Sequence, residues 1–264
     1  MMDVQKELEP LGKLVHSGLV YGSLVRDIDI LLVVEDEQRM EEIKEELRRI
    51  SRILGKPIDI SLKRLDDVDY RIEHHDYNLG SALTTTRFYL TNQPYLEKAR
   101  ESIFGSRPGR ESVLFNFSEG LYAFDVSVFG LQCFEFHQRS DWHKTRPETS
   151  EYFRVVLENS QAQIRMEDVS NLTKHYLGDS VTNLGFSIGY LIATKIMKQR
   201  GKVIDLNFLL STQPETPEHR LFMENRRDIK RYRDGLELDS SKIRSQIEET
   251  RRFYEQYGAE LNII

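Results

Sequence analysis

The spacing of apolar residues changes along the chain, and the change separates predicted strands from predicted helices. Residues 28–34 contain an aliphatic run that follows alternating aspartates, which is typical of a buried strand. Between residues 35 and 54 the apolar positions recur three and four residues apart, which predicts an amphipathic helix that ends at Gly55. Residues 58–62 alternate between apolar and polar side chains, so we expect a second strand there.

A strand, a helix and a strand in this order predict a crossover that places both strands side by side in one sheet. The same criteria predict a leading helix, a short strand and several later helices, at residues 2–15, 19–21, 95–104, 183–200, 217–233 and 240–257. Residues 121–136 are rich in aromatic residues and valine, and their pattern fits either a pair of strands or a buried helix.

The order of these elements predicts an α+β protein in which a small mixed sheet with flanking helices is followed by a helical domain. Residues 1–137 would form the first domain, and residues 151–264 would form the second. The polar stretch 138–150, which contains Trp142 and Pro147, is the predicted linker between them.

Composition narrows the possible classes of protein. The 264 residues carry a formal charge of −6, which argues against a general affinity for nucleic acid. Cys133 is the sole cysteine, so no intramolecular disulfide is possible and a reducing cytoplasm is expected. The N-terminus has no apolar signal core, and the most apolar late segment, 184–197, is too short to span a bilayer. We therefore expect a soluble cytoplasmic protein that does not interact with membranes.

Candidate functional residues lie where the strand predicted at residues 28–34 begins. Asp27 and Asp29 are two residues apart, so on a strand they point to the same side. If the two strands pair, Asp59 on the second one approaches them. Closely spaced carboxylates repel one another, and a hard divalent cation such as Mg²⁺ relieves that repulsion. The sequence therefore predicts a magnesium site built from three aspartates.

Together with the preceding Gly22-Ser23 pair, these aspartates resemble the motif of the nucleotidyltransferase superfamily that includes DNA polymerase beta. In that family a Gly-Ser pair at a strand end precedes an Asp-x-Asp pair, and a later strand supplies a third carboxylate. The resemblance covers roughly residues 14–65. It implies the family fold for the first domain and transfer of a nucleoside monophosphate from a triphosphate, such as ATP, to a hydroxyl acceptor.

The resemblance also implies roles for the matched residues. Asp27, Asp29 and Asp59 would be the catalytic and metal-binding residues, with Mg²⁺ or alternatively Mn²⁺ as the cofactor. Gly22 and Ser23 would bind the triphosphate through backbone and hydroxyl groups. The position of Arg26, and not the family motif, suggests that it adds positive charge there. The acceptor, whether a small molecule, a protein or an RNA, is not identified.

Several alternatives remain open at this stage. Asp125 lies in an alternating stretch and could replace Asp59 as the third carboxylate. The turn from Ser23 to Asp27 is shorter than is usual in the family, which favours a catalytically inactive nucleotide-binding or interaction protein as a second hypothesis. The third hypothesis is an RNA-binding regulator that uses the basic residues between 226 and 233. Acidic residues are interleaved with them, which favours a salt-bridged helix face instead. The arginines of the loop 105–110 and the histidines of residues 74–76 are expected to be exposed surface residues.

Overall fold

The computed structural model describes residues 4–22, 24, 28–35, 39–55, 58–139, 151–158 and 161–261, with side chains except at 137–139, 151–158 and 161–175. Contacts between residues divide the chain into two compact units. The first, the sheet unit, contains Met1–Phe115 and Ile196–Phe208. The second, the helical unit, contains Asn116–Lys195 and Leu209–Ile264.

The sheet unit alternates short strands with helices. It begins with α1 (Val4–Leu8) and a 3₁₀ helix (Glu9–Lys13), where the sequence predicted one leading helix. Its strands are β1 (Ser17–Tyr21), β2 (Ile28–Val34), β3 (Ile58–Arg64) and β4 (Thr86–Thr91). The intervening helices are α2 (Met40–Leu54), α3 (Leu65–Glu73), α4 (Tyr77–Thr84) and α5 (Gln93–Gly105).

The four strands form one mixed sheet in the order β3-β2-β1-β4. Strands β2 and β3 are parallel neighbours, as the predicted crossover through α2 requires, whereas β1 pairs antiparallel with both β2 and β4. The pairing of β1 with β4 shifts register between Val20 and Tyr21. The predicted small mixed sheet is therefore confirmed, and β4 is a strand that the sequence analysis did not predict.

Each face of the sheet packs against its own layer of helices. On one face, Ile28 and Ile30 of β2 pack with Ile43 and Ile50 of α2 and with Leu8 of α1. The opposite face carries a second cluster of buried residues from the sheet and from α3, α4 and α5: Leu19, Leu31, Val33, Val68, Leu79, Leu83, Leu96, Ala99 and Ile103. Because successive side chains of a strand point to opposite faces, residues 29, 31 and 33 of β2 belong to this second face, although β2 is buried on both.

The segment from 63 to 89, whose mixed sequence pattern predicts no particular element, contains α3, α4 and the start of β4. Its polar residues 74–76 form the short connection between α3 and α4, and His75 and Asp76 are buried. Asp76 accepts hydrogen bonds from the backbone N–H groups of Asn78 and Leu79 at 2.7 and 3.3 Å, which caps α4. Asp76 also pairs with the buried Arg71 at 2.5 Å. The polar residues of this segment thus stabilise a helix start.

The helical unit is built mainly from helices. They are α6 (Arg110–Arg139), α7 (Val169–Arg200), the short α8 (Leu206–Ser211), α9 (Pro217–Arg233) and α10 (Ser240–Glu260). The boundaries between the two units fall within α6, α7 and α8. Strands β5 (Glu151–Glu158) and β6 (Gln161–Asp168) form an antiparallel pair that the sequence analysis did not predict. The ambiguous residues 121–136 are helical, within α6.

The interior of the helical unit combines large apolar side chains with paired polar groups. The spacing of Ile243, Ile247, Tyr254 and Tyr257 in the sequence predicts one apolar face for α10, and all four side chains are buried. Burial raises the pKa of Tyr257 to about 12, and the nearby Glu260 carboxylate acts in the same direction. Several buried polar residues of this interior bind one another, as the pairs described below illustrate, whereas Oε2 of Glu218 and Oδ1 of Asn225 are buried without a hydrogen bond to the described residues.

Most of the predicted linker lies outside the described residues. Residues 140–150 lie outside the described residues, while 138 and 139 are the last residues of α6. The predicted division at residues 137 and 151 therefore stays a prediction. Of the helices in the described ranges, none combines the length and the apolar character that a bilayer crossing requires.

Candidate functional site

The candidate site lies at the edge of the sheet where an end of each of the four strands is found. Strand β1 ends at Tyr21 and leads into Gly22, while β2, β3 and β4 begin at this edge. The edge therefore brings together residues that are far apart in sequence: Gly22 after β1, Asp29 near the start of β2, Asp59 near the start of β3 and Arg87 near the start of β4.

Asp29 and Asp59 are register partners on the parallel strands β2 and β3. Partners in a parallel pair project to the same side of the sheet, so the two carboxylates are neighbours on the face that carries Leu31 and Val33. Asp29 is half-buried and Asp59 is exposed. The strand pairing thus places two of the three predicted carboxylates side by side.

Gly22 is required at this edge for two separate reasons. Its φ of +70° lies in the left-handed region, which residues other than glycine rarely adopt. In addition, a Cβ placed on Gly22 would lie 2.5 Å from Oδ2 of Asp29. The absence of a side chain therefore allows the Asp29 carboxylate to approach the backbone at the end of β1.

Hydrogen bonds hold Gly22 in this position. Its N–H donates to the carbonyl oxygen of Thr85 at 3.2 Å, and its own carbonyl accepts from Nε of Arg87 at 2.6 Å. Arg87 is exposed, and within the described part of the chain it forms no ion pair with a carboxylate. A guanidinium at this position can attract an anion to the edge that carries the two aspartates.

Sequence reasoning missed Arg87 because no motif marks it. Residues 86–91 combine two threonines with the adjacent aromatic residues Phe88 and Tyr89 and with Leu90, a composition that favours a strand. Even with β4 assigned, the sequence does not say which strand it joins. Its antiparallel pairing with β1 brings Arg87 to Gly22 across 65 residues.

Three predicted site residues, Ser23, Arg26 and Asp27, lie outside the described residues. Within the described ranges, no group of three or more histidine, cysteine, aspartate or glutamate side chains is arranged to hold a metal ion. The described part of the site supplies two carboxylates, and hard oxygen donors of this kind fit Mg²⁺ or Mn²⁺.

The other candidates occupy different surroundings. The strand context assumed for Asp125 is wrong, because Asp125 is an exposed residue of α6 in the helical unit. In the loop before α6, Arg107 packs beside Gly201, where an added Cβ would meet its Nε at 2.7 Å. In α9, Asp228 binds Lys242 of α10 at 2.6 Å instead of pairing with the basic residues of its own helix.

The prediction that the adjacent histidines are exposed is wrong for His75. Its ring is buried, with Nδ1 2.9 Å from Oγ of Ser112 and Nε2 2.8 Å from Oγ of Ser106. The Ser106 hydroxyl donates to a backbone carbonyl, so Nε2 donates to Ser106. Burial, and secondarily the neighbouring His74, lowers the pKa of His75 and so favours the neutral ring.

An open cleft of about 910 Å³ lies in the sheet unit between α5 and the segment 203–208. Its wall includes Phe104 and Phe208 together with Arg100 and Asp205. Thr84 also lines it, one residue before Thr85, whose carbonyl oxygen holds Gly22. The cleft thus reaches the segment that supports the end of β1.

Comparison of the chain with protein-family models, with curated proteins and with solved structures gave no match.

Proposed function

We propose that the protein is a metal-dependent nucleotidyltransferase that moves a nucleoside monophosphate from a nucleoside triphosphate to a hydroxyl acceptor. The observation that carries this proposal is the register pairing of Asp29 with Asp59 beside Gly22. Asp29 and Asp59 lie on the same face of neighbouring strands, and the close approach of Asp29 to Gly22 requires a residue without a side chain. Two neighbouring carboxylates offer the hard oxygen ligands that a divalent cation prefers. The order of the residues that resemble the nucleotidyltransferase motif suggests the reaction class.

The proposed roles follow from displacement at the α-phosphorus, in which the acceptor oxygen bonds to that phosphorus as its bond to the β-phosphate oxygen breaks and pyrophosphate leaves. Asp27 and Asp29 would hold Mg²⁺, or Mn²⁺, which would stabilise the charge that builds on the phosphate oxygens. Asp59, the exposed member of the pair, faces the acceptor hydroxyl and accepts its proton. Gly22, Ser23 and Arg26 bind the triphosphate, and Arg87 adds a second positive charge.

Labelling in a cell extract tests the proposal and identifies the acceptor class. The protein is incubated with Mg²⁺ and each triphosphate labelled at the α-phosphate, and the label is followed into small-molecule, protein and RNA fractions. We expect label transfer that depends on the protein and stops when EDTA removes the metal. Label that appears equally without the protein would contradict the proposal.

Substitution at the paired aspartates assigns the activity to this edge. We expect Asp29→Asn and Asp59→Asn each to lower transfer at least about 100-fold, because each removes a charge on which the reaction depends. Asp125→Asn is the matched control, since it removes an exposed aspartate of α6. Full activity of both edge variants, with folding unchanged by circular dichroism, would rule out this site.

A nucleotide-binding protein without transfer activity is the second candidate. Only three residues separate Ser23 from Asp27, which favours a site that holds the triphosphate without completing the reaction. Titration calorimetry with a triphosphate and Mg²⁺ separates the candidates. Binding without label transfer to any fraction would favour the second candidate, and binding with transfer favours the first.

A further inference from the structure

Four exposed cations of the sheet unit lie on two segments that are far apart in sequence. Arg107 and Arg110 belong to the connection between α5 and α6 and to the first turn of α6, while Arg200 and Lys202 flank Gly201 at the end of α7. Arg107 packs against Gly201, where an added Cβ would lie 2.7 Å from its Nε. This contact joins the two segments, and we call the four cations the basic patch.

The basic patch carries charge that ion pairs within the described ranges do not neutralise. The helix dipole favours Arg200 in the last turn of α7, but it disfavours Arg110, which is the first residue of α6. Across residues 106–111 and 198–205, five lysines and arginines accompany two acidic residues, in a chain whose formal charge is −6. Positive charge is therefore concentrated at this surface, where it attracts anionic groups such as phosphate.

The basic patch continues into the open cleft of the sheet unit. Gly105 and Val203 line the cleft, and each is within two residues of a cation of the patch. The ring of Phe104 forms part of the same wall. Aromatic side chains beside a positively charged surface are the features that hold single-stranded nucleic acids, because bases stack on the rings while phosphates bind the cations.

Carboxylates in the cleft separate the places for phosphates and bases. Glu97, Glu101 and Asp205 line the cleft together with Arg100, so acidic side chains outnumber basic ones there. These carboxylates repel phosphate, but a carboxylate accepts hydrogen bonds from the amino group of a base. Glu97 already accepts from the side-chain amide of Gln93, and Asp205 accepts from a backbone N–H. Glu101 is exposed and is therefore the carboxylate best placed to meet a base.

We propose that the basic patch and the cleft together bind a single-stranded nucleic acid, with its phosphates on the patch and its unpaired bases in the cleft. The cleft volume of about 910 Å³ lies within the range of small-molecule pockets, about 300–1,000 Å³, and so admits a base. A duplex keeps its bases stacked and an anionic membrane offers none, so neither uses the cleft. This binding is independent of the transfer reaction proposed for the sheet edge.

Fluorescence anisotropy with an end-labelled oligocytidylate of about 12 nucleotides tests the basic patch. For four phosphate contacts, the logarithm of the binding constant should fall against the logarithm of salt concentration with a slope of about −3. Arg107→Glu combined with Arg110→Glu should halve this slope and weaken binding at least about tenfold at low salt. Arg48→Glu combined with Arg52→Glu is the matched control, because it makes the same charge change at exposed positions of α2, and it should change affinity by less than about threefold.

Lys202→Glu provides a second variant that leaves the packing of Arg107 on Gly201 in place. It should weaken binding at least about threefold and reduce the salt slope by about 0.7. Absence of binding by the wild type would overturn the proposal. An unchanged affinity in Lys202→Glu, or equal losses in the two double variants with folding unchanged by circular dichroism, would also overturn it.

Comparison of oligocytidylate with oligouridylate of the same length tests the cleft. Both carry the same phosphates, but cytosine offers an amino group to a carboxylate where uracil has a carbonyl oxygen. Oligocytidylate should bind at least about fivefold more tightly, and Glu101→Ala should bring the two affinities within about twofold of each other. Glu111→Ala is the matched control, because it removes an exposed carboxylate that does not line the cleft, and it should keep the preference.

Two outcomes would assign the basic patch to another partner. Equal affinity of the wild type for the two oligonucleotides would show a surface that binds phosphate alone, and it would overturn the role of the cleft. Binding of phosphatidylserine vesicles that is tighter than oligocytidylate binding, and that Lys202→Glu abolishes, would show a membrane-binding surface and overturn the proposal.

Discussion

The sheet unit and the helical unit place their polar side chains in opposite ways. In the sheet unit, Asp29 and Asp59 lie at the edge of the sheet, and one of them is exposed. In the helical unit, polar groups lie in the interior and bind one another. The Ser127 and Ser180 hydroxyls each donate to the other residue's carbonyl oxygen at 2.8 Å, between α6 and α7.

The difference shows what each set of polar groups can do. Buried polar pairs that satisfy each other fix which helices pack together, and they leave no donor or acceptor for a ligand. Tyr254 and Ser187 show the same behaviour, because each hydroxyl takes part in bonds within the interior. Carboxylates at the sheet edge remain within reach of solvent, Asp59 more so than Asp29. The proposed transfer reaction accordingly belongs to the sheet unit, while the buried pairs of the helical unit contribute to the specificity of helix packing.

Of the substitutions that test this difference between the units, substitution of Gly22 is expected to have the largest effect. Gly22→Ala forces a side chain into the left-handed region and against the Asp29 carboxylate, so transfer should fall at least about 100-fold. Gly55→Ala is the matched control, because Gly55 has a φ of +61° and nothing within 4 Å of an added Cβ. Both variants should lose roughly 1 kcal/mol or more of unfolding free energy in urea. Equal activity of the two variants would show that the approach of Asp29 to Gly22 is unimportant.

A smaller effect is expected at the buried hydroxyl of Tyr254. Tyr254→Phe leaves the Ser187 carbonyl and hydroxyl without this partner, so the unfolding free energy should fall by about 1–2 kcal/mol. Tyr122→Phe removes a hydroxyl from a more exposed tyrosine and should change stability by less than about 0.5 kcal/mol. Urea denaturation measures both. A Tyr254→Phe variant as stable as Tyr122→Phe would contradict the assigned role of buried pairs.

The smallest expected effect concerns His75, a residue of the sheet unit that resembles the buried polar groups of the helical unit. Because burial lowers its pKa below the value of about 6.5 for an unfolded chain, the unfolded state binds the proton more readily. The stability that His75 contributes is therefore complete above about pH 6.5 and decreases as the pH falls through the folded pKa.

His75→Asn is the variant of choice, since asparagine tolerates the φ of 54° at this position. The dependence of unfolding free energy on pH between about 7 and 5 should be shallower in the variant than in the wild type. His74→Asn provides the control for removal of an exposed imidazole. An unchanged slope in His75→Asn would show that this ring does not titrate differently on folding.

The sequence predicted those parts of the sheet unit in which local pattern determines structure. The alternation in β3 and the stripe of α2 specify which faces are buried, and the crossover rule then makes β2 and β3 neighbours in one sheet. The register that pairs Asp29 with Asp59 comes from the structure. The pattern could not assign residues 63–91, because polar residues there cap and connect short helices whose periodicity extends over too few turns. Arg87 was missed for the related reason that its strand pairs with a distant partner.

In the helical unit, local pattern was informative towards the C-terminus and ambiguous in the first helix. The apolar positions of α10 share one face, which identifies a helix. In α6, apolar residues on two opposite sides removed the periodicity by which a helix is recognised, so strands remained an equally good prediction.

The hydrogen bond between Arg87 and Gly22 has a consequence for the order in which a newly made chain acquires its site. All residues that pair β2 with β3 are present once residue 64 has been synthesised, and their pairing suffices to align the two aspartates. Arg87 can join them only after β4 has been synthesised and has paired with β1, across 65 residues. Closing so long a loop carries an entropic cost. The chain thus supplies both carboxylates before it supplies the guanidinium.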